Sequence, residues 1–72
     1  MNIGEAVRER IIELCRERDI SINKLCSMSG VTQSTVNNIV SGRNNSATIS
    51  TIKKLCDGLG ITIQDFFNAS LF

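Results

Sequence analysis

The chain has 72 residues, 42% of them hydrophobic, a net charge of +1, and no proline, histidine, tryptophan or tyrosine. This length predicts one domain spanning residues 1–72, with a core limited to about 60% of the surface of the unfolded chain. No apolar run reaches about 18 residues and no apolar leader follows the N-terminus, so we expect a cytoplasmic protein without a membrane span.

The charges are unevenly distributed along the chain. Residues 1–19 carry four arginines against five acidic residues, and residues 57–72 carry two aspartates. The segment between them, residues 20–56, has four cations and no acidic residue. Such a segment suits an anionic partner, although a chance gap in a short chain would look the same.

The first predicted helix runs from about Asn2 to Arg18. One stripe of apolar residues recurs with helical spacing and is expected to face the core: Ile3, Val7, Ile11, Leu14 and Cys15. A second stripe of four glutamates at i, i+4 spacing is expected to form a solvated face that repels anions. Arg8 and Arg16 partly offset the repulsion between these glutamates.

Two short helices are predicted next, at residues 22–29 and 33–40. Ser21 and Thr32 are suited to cap their N-termini, and Gly30 is suited to end the first of them. The third helix should bury Val36 and Ile39. Its outer face would then carry polar side chains: Gln33, Ser34, Asn37 and Asn38. A short helix with an apolar back and an amide-rich front has the shape needed to enter a DNA major groove.

The last two helices are also marked by local signals. Thr48 is suited to cap a fourth helix that ends at Gly60, and Thr62 with Asp65 forms a capping-box pattern for a short fifth helix. The fourth helix is expected to bury five residues: Ile49, Ile52, Leu55, Cys56 and Leu59. Phe66 or Phe67 should complete the core. The predicted fold class is therefore all-α, a compact five-helix bundle.

No cofactor or metal site is predicted. Cys15, Cys26 and Cys56 are far apart in sequence, and no histidine is available to complete a zinc site or to activate a thiol. We expect the three cysteines to be small buried hydrophobes in a reducing compartment, and we expect no enzymatic activity.

With these elements in place, the chain resembles a known family. Residues 20–67 are similar to the helix-turn-helix domain of phage repressors and Cro, the xenobiotic-response-element type of bacterial regulator. The most specific part is the turn run GVTQSTV at residues 30–36, and further matches lie at Ser41-Gly42 and at residues 59–62. The resemblance implies a lambda-repressor-like fold with a helix-turn-helix core at residues 21–41.

The resemblance also implies which residues contact duplex DNA. The third helix would be the recognition helix, with base-reading side chains at Gln33, Ser34 and Asn38 and a weaker candidate at Asn37. The positions matching phosphate contacts are Ser21, Thr32, Ser41, Arg43, Asn44 and Asn45. Thr32 can serve as a helix cap alone, as a phosphate ligand, or as both.

The chain departs from the pattern of many family members in three ways. Ile22 replaces a glutamine near the DNA and is expected to be an exposed apolar group. Cys15 and Val40 occupy the positions of a buried ion pair, so we expect an apolar contact there. Ile12 replaces a frequent cation, which predicts weaker or less salt-sensitive binding.

The resulting hypothesis is a small transcriptional regulator, acting as a repressor, that binds duplex DNA sequence-specifically. The alternative is a protein-interaction module, such as an antitoxin or an anti-repressor partner, using Ile22 and the C-terminal apolar residues. Because one recognition helix reads few base pairs, a weak or DNA-induced homodimer is expected. Leu71 and Phe72 are predicted to lie near its interface, unless the tail is frayed.

Overall fold

The computed structural model describes residues 2–42 and 47–72, and in this part of the chain it contains α-helices and no β-strand. The all-α prediction is therefore confirmed, and the helix bounds lie within one residue of those expected. The helices are α1 (Ile3–Glu17), α2 (Ile22–Ser29), α3 (Gln33–Val40), α4 (Ile49–Leu59) and α5 (Ile63–Phe67). No helix among the described residues is long and apolar enough to span a membrane.

Each helix begins at a polar side chain that accepts a hydrogen bond from a first-turn N–H group. These caps satisfy donors that have no partner within the helix. Thr62 and Asp65 form the reciprocal capping box, with distances of 3.0 and 3.1 Å. The capping residues are Asn2, Ser21, Thr32, Thr48 and Thr62.

The core lies where α1, α2, α3, α4 and α5 meet. Two helices approach closely at Gly58 of α4, where a Cβ would lie 2.8 Å from Ser29 Cα in α2. Glycine at this position lets the two backbones come together. The largest fully buried side chains are Phe66, Ile11, Leu25, Leu55, Val36 and Cys56.

Two residues predicted to be buried are instead exposed. Ile3 is 67% exposed and Ile49 is 66% exposed, and Leu59 is only partly buried. Ile3 and Ile49 are the first residues of α1 and α4. Because Cα–Cβ bonds tilt towards the helix N-terminus, a side chain at the first position extends past the helix end instead of over its packed face.

A buried arginine that sequence analysis did not identify joins α1 to α5. Arg10 donates from Nε to the Phe66 carbonyl oxygen at 2.7 Å and from Nη2 to the Asp65 carbonyl oxygen at 2.9 Å. Its Nη1 lies 2.5 Å from Glu13 Oε1. The charge is thus compensated, and Arg10 supplies donors to carbonyl groups near the C-terminal end of α5.

The packing describes the surroundings of three residues that depart from the family pattern. Cys15 is buried in the core and Val40 is partly buried against that core, so both positions of the replaced ion pair lie in apolar surroundings. Ile22 is partly buried against the same core, so the expectation of an exposed apolar group was wrong. Its side chain covers the start of α2 because it lies one turn before Cys26, on the buried side of the helix.

The three cysteines are buried and carry free thiols. Burial raises the pKa of each thiol: Cys15, Cys26 and Cys56. A raised pKa leaves less thiolate at neutral pH, and the thiolate is the reactive and metal-binding form.

The C-terminal tail folds back on the helices. The Phe72 ring lies 4.9 Å from that of Phe67 in an edge-to-face arrangement, and Phe67 contacts Phe66 in the same way at 5.0 Å. Leu71 is partly buried. Such aromatic contacts favour a defined position for the tail over a frayed one.

Candidate nucleic-acid interface

The outer face of α3 carries the four predicted base-reading residues. Val36 and Ile39 are buried and hold the helix against the core. The opposite side chains are all exposed: Gln33, Ser34, Asn37 and Asn38. Among the described residues, the side-chain amides on this face make no hydrogen bond, and each amide carries two donor hydrogens and one acceptor oxygen.

The N-termini of α2 and α3 present capped but exposed hydroxyl groups. Ser21 Oγ accepts from the Lys24 N–H at 3.0 Å, and Thr32 Oγ1 accepts from the Thr35 N–H at 3.4 Å. The cap role predicted for Thr32 is confirmed. Two exposed helix N-termini, each with a hydroxyl group, provide the partial positive charge and hydrogen-bond donors that suit phosphate.

The C-terminal end of α3 contributes Ser41. Its hydroxyl donates to the Asn38 carbonyl oxygen at 3.3 Å and is exposed. The predicted phosphate contacts at Arg43, Asn44 and Asn45 lie outside the described residues.

A cation from α1 lies at the same end of α3 and was missed by sequence analysis. Gly42 has a φ of +81°, and a Cβ built there would lie 3.4 Å from Arg8 Nη1. The Arg8 side chain is 32% exposed and has Glu9 3.5 Å away. The sequence held one indication that Arg8 faces the rest of the protein. Arg8 lies two helical turns before Cys15 and therefore on the same face of α1.

The acid-free segment offers fewer free charges than the sequence suggests. Lys53 Nζ lies 2.5 Å from Asp57 Oδ1, and this hydrogen bond raises the pKa of Lys53. Asp57 is the first residue after the acid-free segment and lies one turn after Lys53 in α4. Its negative charge therefore offsets the charge of Lys53. Lys24 and Lys54 are exposed.

Sequence analysis expected Arg8 and Arg16 to offset the glutamate stripe of α1. Arg8 Nη2 lies 3.5 Å from Glu9 Oε1, whereas Glu13 pairs with Arg10. The Arg10 guanidinium group is also held by its hydrogen bond to the Phe66 carbonyl oxygen of α5.

Comparison with known proteins agrees with this geometry. Residues 10–70 match the model of the Cro/C1-type HTH DNA-binding domain. The chain is similar to the crystal structure of the prophage Lp1 protein 11, with 40% identity, a TM-score of 0.85, and coverage of 96% of this chain and 91% of that one. No curated protein matches. The match over most of the chain and the exposed polar face of α3 together show that this protein belongs to the Cro/C1-type helix-turn-helix family of DNA-binding transcription regulators.

Proposed function

We propose that the protein is a repressor that inserts α3 into the major groove of a specific operator. The observation that carries this proposal is the division of α3 into two faces. Val36 and Ile39 fix the helix to the core, while four polar side chains project from the opposite side. Among the described residues, the three amide side chains of this face make no hydrogen bond, and Ser34 Oγ lies 3.5 Å from Thr32 Oγ1. A rigidly held helix with free hydrogen-bonding groups is suited to reading base edges.

Base selection in this proposal depends on the amides. Gln33 and Asn38 can each pair with the N6 and N7 atoms of adenine through two hydrogen bonds, which discriminates against the other bases. Ser34 and Asn37 lie beside them on the same exposed face. Serine accepts several bases, so specificity is assigned mainly to the two amides that match groove-facing positions.

Phosphate contacts would fix the register of α3 on the duplex. Ser21 and Thr32 would act together with the N–H groups of the α2 and α3 N-termini. Ser41, Arg43, Asn44 and Asn45 would contact the backbone at the other end of α3. We add Arg8 to this set, because its guanidinium group lies beside Gly42 at that same end.

Repression would follow from occupancy, since a protein bound over a promoter excludes the transcription machinery. One copy of α3 contacts too few base pairs to select a single site in a genome. Two copies related by two-fold symmetry would read two half-sites, and this doubling is part of the proposal.

Selection of bound sequences from a random duplex pool tests this function directly. We expect an enriched, inverted-repeat motif that contains adenine at the positions read by Gln33 and Asn38. A promoter–reporter carrying that motif should lose expression when the protein is produced. Enrichment without any sequence motif would contradict base reading, and increased reporter expression would contradict repression.

A further inference from the structure

Three hydroxyl groups lie together at the N-terminal end of α3. Thr32 Oγ1 is 2.8 Å from Thr35 Oγ1 and 3.5 Å from Ser34 Oγ, and it accepts a hydrogen bond from the Thr35 N–H at 3.4 Å. Thr32 is exposed, whereas Thr35, in the first turn of α3, is only partly exposed. Thr35 is not among the proposed base-reading or phosphate-binding residues, although its side chain contacts one of them.

The direction of the hydrogen bond between the two threonines decides what Thr32 can offer to DNA. A hydroxyl group has one proton and two lone pairs, and the Thr35 N–H already occupies one lone pair of Thr32. If Thr32 donates to Thr35, its only proton is used inside the protein. If Thr35 donates, the proton of Thr32 is free to point outwards. A DNA phosphate accepts hydrogen bonds and has no proton to donate, so phosphate binding requires the second direction.

A pair of threonines with the same spacing in α4 shows the first direction. Thr48 caps α4, and its Oγ1 accepts from the Thr51 N–H at 3.2 Å. Thr48 Oγ1 also donates to Thr51 Oγ1 at 3.1 Å, so its proton is used within the protein. In α3 the two oxygens are closer, and either of them can be the donor. Among the described residues, the Thr35 hydroxyl has no other hydrogen-bond partner, so its proton is available to Thr32.

The backbone of Thr32 is held in place from the core. Its carbonyl oxygen accepts from the Val36 N–H at 3.3 Å and lies 3.9 Å from Sγ of Cys26, a buried thiol of α2. With the backbone fixed, the main freedom left to the Thr32 hydroxyl is rotation about its Cβ–Oγ1 bond. A donor whose orientation is fixed before binding loses less entropy when the ligand arrives.

We propose that Thr35 is a positioning residue, whose hydroxyl donates to Thr32 Oγ1 and thereby directs the Thr32 proton to a DNA phosphate. This inference rests on the proposed function, in which Thr32 contacts the DNA backbone, and it adds a residue that acts through Thr32 without touching DNA. Donation from Thr35 also polarises the Thr32 hydroxyl, which strengthens the next hydrogen bond in the series.

The first test is Thr35→Val, which removes the hydroxyl and retains the size and β-branching of the side chain. On the selected operator this variant should bind about twofold to tenfold more weakly, the range expected for one hydrogen bond. Thr35→Ser retains the hydroxyl and should bind nearly as well as the unmodified protein. Thr51→Val, the equivalent change at the partly buried position of α4, is the matched control and should leave affinity unchanged. Urea denaturation checks that all three variants are folded under the binding conditions.

A double-mutant cycle separates positioning from direct contact. Thr32→Gly removes the hydroxyl, and glycine is tolerated at a helix cap at a small cost in stability. In this background Thr35→Val should cause no further loss of affinity, because no hydroxyl remains to be directed. If the two losses add, Thr35 acts on DNA independently and the inference is wrong.

Replacing single operator phosphates by uncharged methylphosphonates gives a second measurement that leaves the helix cap unchanged. At the phosphate bound by Thr32, this replacement should remove the difference between the unmodified protein and Thr35→Val. A difference that persists at every phosphate would overturn the role of Thr35, and so would equal binding of the two proteins to the unmodified operator. If the unmodified protein selects no operator at all, the proposed function itself fails, and this inference fails with it.

Discussion

At the scale of single residues, specificity in the proposed function depends on amide groups that nothing else in the described structure uses. Gln33→Ala or Asn38→Ala should each cost roughly 1–3 kcal/mol of binding free energy at the preferred operator, and much less on random duplex. Fluorescence anisotropy on both duplexes measures the difference. Gln64→Ala, an exposed glutamine on α5, is the matched control and should change neither affinity. An equal loss on both duplexes would show that the amide does not read bases.

Arg8 is expected to contact a phosphate and to carry no sequence information. Arg8→Gln should weaken binding to every duplex by a similar factor and lower the slope of log affinity against log salt by about one unit. Lys53→Gln removes the same formal charge, but from a lysine already paired with Asp57, and should leave the slope nearly unchanged. If the two substitutions alter the slope equally, Arg8 does not contact a phosphate and contributes only to net charge.

At the scale of elements, Arg10 links the first helix to the last. Arg10→Met keeps much of the apolar stem but removes the donors to the Phe66 and Asp65 carbonyl groups, so it should lower the free energy of unfolding by roughly 1–3 kcal/mol. Urea denaturation followed by circular dichroism measures the loss. If the substitution speeds amide hydrogen exchange more in α5 than in α3, the lost stability is located at the contact between α1 and α5. Arg16→Met, an exposed change on the same helix, serves as the control, and equal stability of the two variants would contradict the role of Arg10.

The crossing of α2 and α4 gives a prediction in which two effects oppose each other. Gly58→Ala improves helix propensity by about 1 kcal/mol, but its Cβ would meet the Ser29 backbone, and such overpacking costs about 1–3 kcal/mol. Backbone atoms cannot rotate away as a flexible side chain can, so we expect net destabilisation. Ser50→Ala, at an exposed position in α4, should be neutral or slightly stabilising by the same urea assay. A stabilised Gly58→Ala protein would mean that the helices separate without cost.

The helices could be predicted from the sequence because their signals are local. Thr32 and Thr62 cap the predicted helices, and Gly30 and Gly60 end α2 and α4 with positive φ values. The family resemblance added the helix-turn-helix arrangement. It also assigned DNA contacts to residues on α3, and those assignments remain predictions.

The contacts that escaped prediction depend on which elements come together in space. Periodicity placed Ile3 and Ile49 on apolar faces but could not show that both side chains remain largely exposed. Arg8 and Arg10 looked like ordinary members of a charged helix. Their partners, Gly42 and the end of α5, lie 34 and more than 50 residues away in sequence. Only the packing of α1 against α3 and α5 identifies them.

At the scale of the whole molecule, size limits how two copies can share one operator. The Cα atoms extend over 28 × 25 × 22 Å, so two touching copies have their centres roughly one such width apart. Half-sites one helical turn apart are about 34–36 Å from centre to centre. Two copies in direct contact can meet that spacing if the recognition helices lie towards the outer sides of the pair.

Changing the half-site spacing therefore tests the assembly as a whole. Inserting about 5 base pairs rotates one half-site by half a turn around the duplex. Inserting about 10 base pairs returns both half-sites to the same side of the duplex but adds roughly 34 Å to the distance between them. A direct contact between compact bodies bridges neither, so both insertions should reduce affinity to that of a single half-site, as measured by anisotropy at fixed salt. A flexible connection would instead recover binding with the longer insertion. Equal affinity for all three duplexes would mean that the copies bind independently and that the proposed dimer does not form on DNA.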